Sequence, residues 1–145
     1  MIRALGAASA LLVCLSGLSA AQDARERLLA EANTAYRSLR ASEAAGLYRQ
    51  YLAQYPDRAD VRVYLGGALL NLNQMQEALA EAQHAIALDG RYGKGYILAG
   101  RVCAAREQWD RAQEFFTKAQ NLDPHDLDAR YFSGRAKQKD VKLVS

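Results

Sequence analysis

Apolar and small residues recur at helical spacing along most of the chain. Tyr96, Ala99, Gly100 and Cys103 follow an i, i+3, i+4, i+7 pattern, one stripe of an amphipathic helix. Ala112, Phe116, Ala119 and Leu122 form a second stripe, and the segment from Arg106 to Trp109 separates the two. This arrangement predicts a helical hairpin. The pattern returns every 34 residues with no insertion or deletion. Glu43-Ala44, Glu77-Ala78 and Arg111-Ala112 are in phase, as are Tyr48, Ala82 and Phe116, and again Pro56, Gly90 and Pro124. Leu65-Gly66 recurs as Ala99-Gly100 and, more weakly, as Glu31-Ala32. Three units follow, residues 25–58, 59–92 and 93–126, with a partial fourth from 127 to 145.

Small residues at Gly66, Gly100, Ala78 and Ala112 let the two helices of a unit approach closely, and Tyr48 and Phe116 fill the space between layers. A leucine at Gly100 is expected to overpack the pair, whereas alanine there is expected to be neutral or stabilising because glycine is a poor helix former. Pro56 and Pro124 fall just after helix ends, and Asp57 and Asp126 are available as N-caps. In the last segment Arg130, Ser133, Gly134 and Lys137 occupy the stripe that would face a second helix. That polar stripe predicts a capping helix over 126–139 and a short tail over 140–145.

The first residues break the pattern. Arg3 is the only charge before Asp23, and an apolar run from Ala4 to Leu18 leads to Ser19, Ala20 and Ala21. A short positive start, an apolar centre and small residues before a polar segment predict a secretory signal peptide over 1–21. Cleavage after Ala21 fits small residues at positions 19 and 21; cleavage after Ala20 is the near alternative. An uncleaved membrane anchor and a lipid on Cys14 are the two other fates this segment allows. Export to a bacterial periplasm is the expected location.

Composition narrows the class. Charged residues make up 24% with a formal net charge of +3, which excludes a disordered polyelectrolyte and offers no large basic excess for nucleic acid. Signal removal would leave Cys103 as the lone cysteine, so the fold must hold without disulfides.

The 34-residue units resemble the tetratricopeptide repeat family. The third unit carries the pattern in Tyr96, Ala99, Gly100, Ala112, Phe116, Ala119 and Pro124; the second in Leu65, Gly66, Leu69, Ala78 and Ala85; the first in Leu28, Ala32, Ala44, Tyr48 and Pro56. The resemblance implies an all-α, right-handed solenoid of three hairpins over 22–139, closed by the capping helix. It also implies a protein-binding scaffold, whose first helices line a concave groove. The implied groove residues are Leu29, Asn33, Tyr36 and Arg37 from unit one; Val63, Tyr64 and Leu70 from unit two; Lys94, Ile97 and Arg101 from unit three; and Tyr131 and Arg135 from the capping helix. Leu98 and Phe132 fall on the same face. An apolar, aromatic floor with basic residues suits a peptide with apolar anchors and acidic neighbours.

Some cytosolic members of the family clamp a peptide's terminal carboxylate through five positions, which here are Leu29, Asn33, Tyr64, Lys94 and Leu98. Only Asn33 and Lys94 match. No catalytic motif is present: His84 and His125 are isolated, and no Cys-x2-Cys or His-x3-His spacing, P-loop or nucleophile elbow exists. No cofactor and no metal are expected. Cys103 and Trp109 read as packing residues, Glu77 and Glu81 as solvated charges, and Gln83 and Gln113 as outward residues of the convex face. The sequence therefore reads as a non-enzymatic adaptor that holds a partner's peptide. A non-catalytic accessory or maturation factor for an envelope enzyme complex is the competing reading, and end-to-end self-assembly is a third.

Overall fold

A computed structural model of the protein describes residues 5–143, with side-chain surroundings for residues 17–139. Arg3 and the side chain of Cys14 lie outside the described residues. The fold is built from α1 (Leu5–Arg37), α2 (Ala41–Gln54), α3 (Ala59–Asn71), α4 (Met75–Leu88), α5 (Gly93–Ala105), α6 (Trp109–Leu122) and α7 (Leu127–Leu143). Each helix packs on the next in order, and α3–α5 and α5–α7 also touch, so the odd-numbered helices line one face. Helix α1 continues unbroken through Ala21, and α7 runs beyond Lys139 to Leu143, so 140–143 extend the capping helix and are not a separate tail. Among the described residues no helix is long and apolar enough to cross a membrane.

The turns inside the three hairpins are one motif repeated. Leu39, Asn73 and Glu107 have φ of 59°, 61° and 60°. In each turn the next residue's N–H reaches back to close the helix: Arg40 to the Ala35 carbonyl, Gln74 to Leu69 and Gln108 to Cys103, all at 2.9 Å. With the accompanying bonds from Leu39 to Tyr36, Asn73 to Leu70 and Glu107 to Ala104, this is the Schellman arrangement, which favours glycine or asparagine at the left-handed residue. Leu39 is 82% exposed and makes little use of its side chain. Leu39→Gly is therefore expected to raise stability by about 0.5–1 kcal/mol, the left-handed strain relieved less the unfolded-state entropy of glycine. Asn73→Gly is expected to change little, and urea melts of the two variants check the contrast.

Between hairpins the chain turns at residues 55–58, 89–92 and 123–126. Asp89 and Asp123 accept hydrogen bonds from the N–H groups of Arg91 and His125. Asp126 caps α7, its Oδ1 accepting from the N–H groups of Asp128 and Ala129 at 2.9 and 3.1 Å. Asp57 does not cap α3; Arg58 holds that position without a side-chain bond.

The core confirms the small-residue contacts. Gly100 faces Phe116, and Tyr48 and Phe116 are buried. Unit two has Ala82 where the others have an aromatic, and Leu98 from α5 reaches back over Gly66 to fill the gap. Gly134, in the same register as Gly66 and Gly100, faces open space. Ser133 is not on that open stripe. It is buried against α6, where Gln113 Nε2 donates to its hydroxyl at 2.8 Å. Gln113 thus joins α6 to α7 and does not point outward from the convex face. Glu81 is also not a free solvated charge: it pairs with Arg62 at 2.9 Å, both side chains being about one-fifth exposed.

Candidate functional site

The concave face holds a cavity of about 420 Å³. Tyr36 from α1, Val63 and Tyr64 from α3, and Ile97 and Arg101 from α5 line it, with Phe132 from α7 at the far side. Its shape follows from the repeat. Successive first helices place residues of one phase side by side, and the α2 residue Tyr48 sits beneath them as a buried base. Tyr48 stacks on Tyr64 at 6.0 Å and meets Tyr36 edge-on at 6.3 Å, while Tyr36 and Tyr64 meet edge-on at 6.0 Å. The Tyr48 hydroxyl donates to Asn33 Oδ1 at 2.8 Å. Burial holds the Tyr48 phenol well above its ordinary range, so it remains a donor.

Charge in the groove is uneven. Lys94 Nζ lies 2.7 Å from Asp128 and 3.1 Å from Asp126. Burial alone would lower the Lys94 pKa, but the hydrogen bonds that Lys94 donates to Asp128 and Asp126 outweigh it, and the pKa is raised. Burial would likewise raise that of Asp126, but the Ala129 N–H and Lys94 outweigh it and bring it down. Lys94 is therefore charged but already paired. Arg101 has no ion pair among the described residues, and its guanidinium lies 5.3 Å from the centre of the Phe132 ring.

The twelve residues assigned to the groove from sequence separate into groups. Tyr36, Val63, Tyr64, Lys94, Ile97 and Arg101 come together in one cavity, although Ile97 is only 5% exposed and presents little surface. Leu70 and Arg135 line a neighbouring cavity that Arg101 also borders. Leu29 packs against the core, Asn33 is engaged by Tyr48, and Arg37 is exposed. Tyr131 is 56% exposed, its ring edge-on to Phe132 and 5.7 Å from the Arg135 guanidinium.

Two groove residues escaped the helical-face reading. Tyr92 belongs to the turn before α5, where helical phase does not apply. Asp128 lies 34 residues after Lys94, and the repeat register alone would have shown this facing pair. Among the described residues no group of three or more His, Cys, Asp or Glu side chains could hold a metal. Cys103 is buried, and burial pushes its thiol pKa up, away from reactive thiolate.

Known structures share this fold. The Sgt2 TPR domain from Aspergillus fumigatus superposes with a TM-score of 0.76 over 82% of this chain and 80% of that one, at 21% identity. The first TPR of Spaghetti (RPAP3), solved bound to the HSP90 peptide SRMEEVD, gives 0.73 over 83% and 94%, at 20% identity. The fold is that of a tetratricopeptide-repeat domain. In sequence, the chain is 37% identical over 57 residues to a DnaJ homolog subfamily C member 7 homolog of Dictyostelium discoideum, covering 39% of this chain. It is 29% identical over 104 residues to the one of Schizosaccharomyces pombe, covering 69%. The matched regions span only 11% and 22% of those relatives' own length. No protein-family profile matches the chain.

Proposed function

We propose that this tetratricopeptide-repeat protein is a non-catalytic accessory factor that holds an extended peptide segment of a partner protein in its concave groove. The observation that carries the reading is the groove itself: the exposed Tyr64 ring and the half-buried Tyr36 ring on a buried base, beside an arginine with no ion partner among the described residues. Tyrosines supply large contact area with few rotors, and an arginine forks onto a carboxylate. That a domain of the same fold, the first TPR of RPAP3, is solved bound to a peptide supports a peptide as the ligand.

Capture of a terminal carboxylate through the five clamp positions is disfavoured here. Leu29 and Leu98 have no side-chain hydrogen-bonding group, Tyr64 offers a single hydroxyl and no charge or amide, Asn33 is held by Tyr48, and Lys94 is held by two aspartates. The expected ligand has apolar or aromatic anchors and an internal acidic residue near Arg101.

Arg101→Ala and Tyr64→Ala are each expected to weaken peptide binding by about 1–2 kcal/mol while leaving the melting curve close to the parent's. The loss from Arg101→Ala should shrink as salt rises, because salt already screens the ion pair in the parent. Calorimetry at two salt concentrations reads both. Normal binding by these variants, with loss on Gln83→Ala of the convex face, would reject the groove.

The export reading rests on Arg3, the apolar run and the Ser19-Ala20-Ala21 boundary. N-terminal sequencing of protein recovered from its native host is expected to begin at Gln22. A start at Met1, or a lipidated Cys14, would replace it with an anchored form.

A further inference from the structure

Beside the groove lies a second cavity, of about 240 Å³, between α5, α6 and α7. Its apolar lining comes from Leu70, Ala104, Trp109, Phe116, Phe132 and Ala136. Three cations border it, Arg101, Arg135 and Lys139, and among the described residues no carboxylate does. None of the three enters an ion pair among the described residues; Arg135 donates only to the Tyr131 hydroxyl, at 3.1 Å. A dry cavity of roughly 150 Å³ suffices to hold a benzene ring, so this one has room for a large side chain. Arg101 and Phe132 stand in the walls of both cavities. A chain lying in the groove past Arg101 therefore reaches the second cavity with one side chain.

We propose that this cavity is an anchor pocket for one large apolar side chain, Phe, Trp or Leu, of the groove-bound peptide. An adjacent Asp or Glu of that peptide is held by Arg101, Arg135 and Lys139. The proposal rests on the groove reading above and adds to it the residue pair that sets specificity. Two features favour this occupant. The cavity joins the groove through shared wall residues, and its rim is positive with no acidic residue among the described ones lining it, so an apolar group carrying a nearby negative charge matches both parts. Trp109 becomes part of a binding wall as well as a packing residue, as its half-buried position between α5 and α7 permits.

The test uses a random 12-residue peptide library displayed on phage and selected against the full-length protein. Enriched peptides are expected to pair a large apolar residue with a neighbouring acid. Their affinity is expected to fall about tenfold when the apolar residue is changed to alanine, and by a similar factor in Ala104→Phe, which fills the cavity. The two changes together should cost no more than either alone. Arg135→Ala and Lys139→Ala, both at exposed positions, should each weaken binding several-fold at low salt. They decide the matter on their own if Ala104→Phe disturbs folding by circular dichroism.

If enriched peptides lack the apolar–acidic pair, or bind the cavity variants like the parent while Tyr64→Ala weakens them, the anchor pocket is overturned and the groove stands. If no peptide is enriched, the groove reading fails and the pocket with it. Decanoate serves as a competing probe. If it binds with shifts at Trp109 and does not displace the peptides, the cavity serves a free carboxylate instead and the proposal is overturned.

Discussion

Gly100→Leu is expected to destabilise the protein by about 3 kcal/mol, the upper end of the range for overpacking a filled core. A Cβ at residue 100 would stand 2.5 to 2.9 Å from three atoms of the Phe116 ring. That ring is 1% exposed and stacks on Phe132 at 5.8 Å; it borders the second cavity, but turning into it would give up that stacking. Even Gly100→Ala is therefore expected to cost about 1 kcal/mol net, the clash exceeding the gain in helix propensity. This reverses the neutral or stabilising outcome that propensity alone suggests for alanine. Gly134 occupies the same register but meets nothing within 4 Å, so Gly134→Ala is expected to stabilise by about 0.5–1 kcal/mol. Denaturant melts of the alanine pair test the argument by sign. Adding Phe116→Leu to Gly100→Ala should recover part of the loss if the ring is the obstacle.

Tyr48→Ala is expected to cost about 3–5 kcal/mol, as for other large aromatics removed from a core. Tyr48 is fully buried and supports both Tyr36 and Tyr64 from below, so the groove loses its base along with the fold its packing. Tyr48→Phe keeps the ring contacts and removes only the hydroxyl bond to Asn33; about 1 kcal/mol is expected, with peptide affinity nearly unchanged. Melts and calorimetry on the pair separate the ring's role from the hydroxyl's. Equal losses for the two variants would place the weight on the hydrogen bond instead.

Much of this protein is written in its local pattern. The 34-residue period, the hairpin in each unit and the close approach at Gly66 and Gly100 follow from helical phase and residue size, which act within one turn or one hairpin. The groove wall was legible for the same reason: residues of one phase on successive first helices must lie side by side, as Tyr36, Tyr64 and Arg101 do.

Which side chains meet across repeats was settled only in the folded structure. Phase gives the direction in which a side chain leaves its helix, not the partner that arrives from another element. Thus Leu98 borders the groove cavity yet is buried over Gly66, and the Tyr48 hydroxyl takes the side-chain oxygen of Asn33. Ser133 turns from an open stripe into a buried acceptor for Gln113. Lys94 is paired with two aspartates one repeat away, leaving Arg101, among the described residues, as a groove cation without such a partner. The helices pack at angles and depths set by the summed volumes of all these side chains. No single 34-residue unit contains that sum, and so the two cavities and their charge are properties of the assembled repeats.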